Sequence, residues 1–73
     1  MRTVTIGALI KRINRRLNRQ RRELKITRGQ TARRELGSYW VLDLDQKLVI
    51  ATHVDPERMG RELRVLDPDE KVK

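Results

Sequence analysis

Apolar residues recur along the first third of the chain at helical spacing. Ile6, Leu9, Ile10, Ile13, Leu17 and Leu24 stand at steps of three, four and seven. On a helical wheel they fall within about a 100° arc, with Gln20 in the same stripe. The pattern predicts one amphipathic helix over residues ~5–25, roughly 30 Å long at 1.5 Å per residue. Thr3 or Thr5 serves as its N-cap, the hydroxyl accepting from a free N–H of the first turn. Gly7 is a weak point near its start, and Thr27, Arg28 and Gly29 break the pattern. Over 27–38 the sequence allows one or two helical turns from Gln30 to Leu36 closed by Gly37, or an ordered basic loop. The loop is the reading adopted.

Further on, the residue types change to those of strands. Tyr39-Trp40-Val41-Leu42 and Leu48-Val49-Ile50-Ala51-Thr52 are rich in aromatic and β-branched side chains, and predict a hairpin over about 39–53. Asp43, Leu44, Asp45, Gln46 and Lys47 supply its turn. A second helix is predicted over about 56–66, with Asp55 as N-cap, Pro56 at the first position and Met59, Leu63 and Leu66 as its stripe. Asp67-Pro68 stops it, and 67–73 reads as a frayed tail. The fold class expected is α+β, a small α-β-β-α domain. Two strands alone are marginal in water, so both helices must pack on the hairpin.

At 73 residues the chain makes one domain. A single core of this size gives only about 3–5 kcal/mol of net stability. With no cysteine there is no disulfide and no thiolate metal site. His53 is the lone histidine and the carboxylates are scattered, so neither a metal nor a cofactor is expected. No run of 18 apolar residues is present to span a membrane. The first residues lack a signal-peptide pattern, and a cytoplasmic location is expected.

Charge changes the picture most. Residues 1–36 carry twelve Lys and Arg against Glu23 and Glu35, while residues 37–73 carry six against eight acids. The net +8 therefore resides in the first half. Thirteen of the eighteen basic residues are arginine, which GC-rich coding also favours. On the predicted helix Lys11, Arg15, Arg19 and Arg22 lie opposite the apolar stripe, with Arg12 flanking and Lys25 in line. Like charges one turn apart repel by a few tenths of a kcal/mol per pair. A row of phosphates would offset that repulsion, and the guanidinium fork matches phosphate with two parallel bonds. Asn14 and Asn18 lie along the edge of the ridge, where a side-chain amide can read adenine. Arg28, Arg33 and Arg34 are expected to extend the basic surface next to the end of the helix.

These residues together predict a nucleic-acid-binding module, for DNA or RNA, acting mainly on backbone phosphates. The rival is a protein-interaction module or homodimer, its basic face meeting an acidic partner or its apolar stripe pairing with a second copy. Tyr39 and Trp40 are adjacent and point to opposite faces of a strand. Core packing of both is the favoured reading, a base-stacking platform the alternative. His53 near Asp55 lacks a matching nucleophile or ligand set, so a structural role is expected and no enzyme.

Four stretches carry a resemblance: Lys25-Ile26-Thr27-Arg28-Gly29, Leu36-Gly37-Ser38-Tyr39-Trp40-Val41-Leu42-Asp43, Ile50-Ala51-Thr52-His53-Val54-Asp55 and Gly60-Arg61-Glu62-Leu63. They resemble a group of short proteobacterial proteins of phages and integrated mobile elements, over most of the chain. The resemblance implies a bacterial cytoplasmic setting. It implies no activity and carries over no catalytic residue.

Overall fold

Thr5 opens the first helix. Its hydroxyl accepts from the Ala8 backbone N–H at 3.2 Å, and α1 follows over Ile6–Leu17. The computed structural model describes residues 2–73. Before α1 lies β1 (Arg2–Val4). After it come β2 (Arg22–Ile26), α2 (Gln30–Leu36), β3 (Tyr39–Asp43), β4 (Leu48–Ala51), α3 (Pro56–Glu62) and β5 (Glu70–Val72). The class is α+β, but the order is β-α-β-α-β-β-α-β rather than α-β-β-α.

The helix expected over 5–25 stops at Leu17. A 3-10 turn covers Asn18–Gln20, Arg21 takes the left-handed conformation (φ 57°, ψ 47°), and the chain returns as a strand. Leu24 fits the stripe of a longer helix and equally the buried side of an alternating strand, which is where it sits. Two effects favour the strand. A continued helix would crowd Arg15, Arg16, Arg19, Arg21 and Arg22 into successive turns. As β2, the same residues give the hairpin the third strand it needs.

The sheet order is β2-β3-β4, antiparallel throughout. Leu24 pairs with Val41 and Val41 with Ala51, and this row faces the core. Alternation puts Glu23, Leu42 and Val49, with Lys25 and Trp40, on the other face. Tyr39 packs against the core, whereas Trp40 lies on that outer face, so core packing of both does not hold. The register shifts between Val41 and Leu42, leaving Ile50 as a bulge residue. In the turn, Asp43 Oδ1 accepts from the N–H groups of Asp45 and Gln46 at 2.9 and 3.0 Å.

Residues 30–36, read as part of a loop, form α2 between two positive-φ glycines, Gly29 and Gly37. Gly37 is required twice over. Its φ is 77°, and a Cβ there would stand 2.7 Å from the Cα of His53. Asp55 caps α3 by accepting from Glu57 N–H at 3.0 Å. That helix ends at Glu62, short of the expected 66, because Arg64 turns left-handed (φ 60°). Val65 N–H then reaches Gly60 O at 2.9 Å and Arg64 N–H reaches Arg61 O at 3.1 Å, satisfying the last carbonyls.

The segment expected as a tail supplies β5, which pairs in parallel with β1 in the register Arg2↔Glu70, Thr3↔Lys71, Val4↔Val72. Arg2 reinforces the pair through Asp67 at 2.9 Å and Asp69 at 3.1 Å. Val4, Leu9, Ile13, Leu17, Leu24, Val41 and Leu66 form the core, with α1 at its centre between the sheet and α3. The molecule is only 16 Å thick, room for two layers, and on the outer face of the sheet Trp40 is half-buried, its indole N–H shielded from solvent without a hydrogen-bond partner.

Candidate functional site

With Leu9, Ile13 and Leu17 buried, α1 has two flanks and a back. One flank faces β2. There the Asn14 side chain accepts from Leu24 N–H at 2.7 Å and donates to Leu24 O at 3.2 Å. The other flank faces the segment between α3 and β5. Arg12 Nη1 donates to Val65 O at 3.1 Å and to Glu70 Oε1 at 3.0 Å. The Glu70 side chain is 5% exposed, and its Oε1 also accepts from Asp67 N–H at 2.9 Å. That backbone donor, and next the Arg12 guanidinium, hold the Glu70 carboxyl below its ordinary range. Asn14 and Arg12, expected to meet bases and phosphates, are thus tied into the fold.

The back of α1 is different. Lys11, Arg15 and Arg16, and Arg19 on the turn that follows, are exposed. Among the described residues none of the four has a carboxylate partner, whereas Arg2, Arg12, Arg21, Lys25, Arg58 and Arg61 each do. Arg12, Arg15, Arg16 and Arg19, at i, i+3, i+4 and i+7, line a shallow hollow of about 130 Å³ with Val65 at its side. Arg16 was not among the expected contacts, because on a wheel it borders the apolar stripe. The i, i+4 spacing from Arg12 is the signal that finds it.

Other expected contacts lie elsewhere. Arg22 and Lys25 are on β2, not on the helix. Arg22 donates to Gln20 Oε1 at 3.4 Å, and Lys25 pairs with Glu23 at 3.5 Å. Because β2 runs back along α1, Arg28 shares a hollow with Ile10 and Ile26. Five strand residues carry the chain about 16 Å from the helix end, so Arg28, Arg33 and Arg34 do not extend the ridge there. Arg33 and Arg34 line a separate hollow with Gln30 on α2. Asn18 is exposed at the end of α1, next in sequence to Arg19.

His53 is exposed, with φ 52° and its backbone N–H on Leu36 O at 2.7 Å. Among the described residues no three of His, Asp and Glu are grouped to hold a metal. No described helix is long and apolar enough to cross a membrane. Comparison with family models, with curated proteins and with solved structures finds no match to this chain.

Proposed function

We propose that this protein binds nucleic acid through its backbone phosphates, as a binding module without catalysis, and that Lys11, Arg15, Arg16 and Arg19 make the contacts. The observation that carries the reading is the unpaired row of cations on α1 and the turn that follows it, whereas Arg12 on the flank of the same helix and Arg58 and Arg61 on α3 pair with carboxylates. Four like charges within two turns raise the free energy of the isolated protein. A polyanion removes that repulsion and releases its own condensed counterions. Three of the four are arginines, whose planar fork takes two phosphate oxygens at once. Asn18 is the exposed amide placed to meet a base edge, and the hollow at Arg33 and Arg34 is a second, separate place for phosphate.

Titration of a labelled duplex and a labelled single strand at several salt concentrations tests the reading. Four phosphate contacts on a duplex give a slope of log affinity against log salt of about −3.6, at about −0.9 for each. Replacing Arg15 and Arg19 together by alanine flattens the slope by about two units. Absence of binding at low salt, where attraction is least screened, removes the reading.

A further inference from the structure

We infer that β4 is a self-pairing edge: two copies of this chain join β4 to β4, antiparallel about a two-fold axis, into one continuous sheet β2-β3-β4-β4-β3-β2. Leu48, Val49 and Ile50 are 55%, 44% and 45% exposed, three consecutive large apolar residues on an edge strand. An uncovered apolar edge presents unpaired N–H and C=O groups to any strand that fits. The bulge within β4 bends this edge and limits the length that can pair, but it brings a further apolar side chain, Ile50, to the edge and no charge or proline.

The other edges are closed. At the middle of β2, Asn14 occupies both backbone groups of Leu24, and Arg22 and Lys25 flank it. β1 and β5 are three residues each and carry Arg2 and Lys71. Ile26 at the end of β2 is 58% exposed but stands singly beside Lys25, so β4 is the one edge with a run of exposed apolar residues, which gives a closed pair rather than a fibre.

The edge is complementary to itself, which makes a second copy its occupant. From Leu48 to Thr52 there is no charged side chain. A two-fold axis between Val49 and Ile50 sets Leu48 opposite Ala51, Val49 opposite Ile50, and Lys47 opposite neutral Thr52. No like charges face each other. α1 packs on β2, so its cation row lies toward the far side of the sheet from β4. In the pair, the two β2 strands stand five strand spacings apart, about 24 Å. That is about three Debye lengths at physiological salt, so two chains of net charge +8 meet where their repulsion is most screened. A four-residue edge, about 13 Å long, buries far less than the ~800 Å² per partner of a standard interface. The association is accordingly weak and concentration-dependent.

The inference does not rest on nucleic-acid binding, and its test uses protein freed of nucleic acid by nuclease and a high-salt wash. Sedimentation equilibrium at rising concentration is expected to move the mass from one chain to two and no further. Ile50→Lys and, separately, the milder Val49→Thr should weaken the pairing, by at least about tenfold for the lysine, while the circular dichroism spectrum is retained. Amide exchange within 48–51 should slow as concentration rises, and exchange in β2 should not. A wild-type mass of one chain at the highest concentration overturns the inference, leaving the edge for a foreign strand. So does a pair whose concentration-dependent protection falls outside β4, or growth beyond two chains.

Discussion

The side-chain amide of Asn14 stands in for a missing strand beside Leu24. Arg21 O and Thr27 N–H point inward to Leu44 and Ser38 across the sheet, so by alternation Leu24 turns its N–H and C=O outward at the free edge. Asn14 takes both, at 2.7 and 3.2 Å, as a neighbouring backbone would. Asn14→Ala should cost about 1–3 kcal/mol by leaving both groups without a protein partner. At this size that lowers the thermal midpoint by about 4–8 °C per kcal/mol. Asn14→Asp keeps the acceptor and loses the donor, so its midpoint should lie between the two.

Arg12 and Arg15 are three residues apart and should behave oppositely. Arg12 is bonded to Glu70 and Val65, so Arg12→Ala should lower the thermal midpoint. Arg15 is exposed and unpaired, so Arg15→Ala should leave the midpoint within about 0.5 kcal/mol of wild type. In the salt titration, Arg15→Ala alone should change the slope by about one unit. Equal effects of the two changes on stability would contradict the division of α1 into a tied flank and a free back.

Gly60 marks the closest approach of α3 to α1. A Cβ there would stand 2.8 Å from Leu9 Cδ1 and 3.3 Å from Leu66 Cβ, both in the buried core. Gly60→Ala should destabilise by about 1–3 kcal/mol through overpacking, despite the better helix propensity of alanine. Gly37→Ala adds a left-handed backbone to its clash with His53 and should cost more. Chemical denaturation of both variants checks the order.

Glu70 makes the fold acid-sensitive. Its folded carboxyl titrates below the ordinary 4.5, held there first by Asp67 N–H and then by Arg12. Asp69 is lowered too, chiefly by its hydrogen bond from Arg2. A lowered carboxyl stabilises the fold above its unfolded pKa and loses that contribution as pH falls through the folded one. The thermal midpoint should therefore drop as pH falls below about 4.5. Glu70→Gln should start lower at neutral pH and show less of that acid-dependent fall.

Where a residue acts within one turn of the chain, the sequence was readable. Thr5, Asp55 with Pro56, and the Asp43 turn act locally, and Lys11, Arg15 and Arg19 follow from the helical phase set by Leu9 and Ile13. Errors arose where a distant partner decides. Leu24 satisfies a helix and a strand alike, and only β3 chooses between them. That one ambiguity carried Arg22 and Lys25 onto the wrong element and hid the role of Asn14. β1 and β5 hold three residues each, too few to show a period, and their partners lie at the other end of the chain.

That last pairing has a consequence for how the molecule breathes. Joining Arg2 to Asp69 closes a separation of 67 residues. Loop-closure entropy makes this about 2–3 kcal/mol more costly than closing a hairpin turn. With only three residues a side, the clasp of β1 and β5 should open ahead of the sheet and α1. Each opening takes Glu70 away from Arg12 and adds a fifth unpaired cation to the row on α1. If that row holds an anion as proposed, the anion should favour the open clasp and a loosened clasp the anion, by the same free energy in both directions.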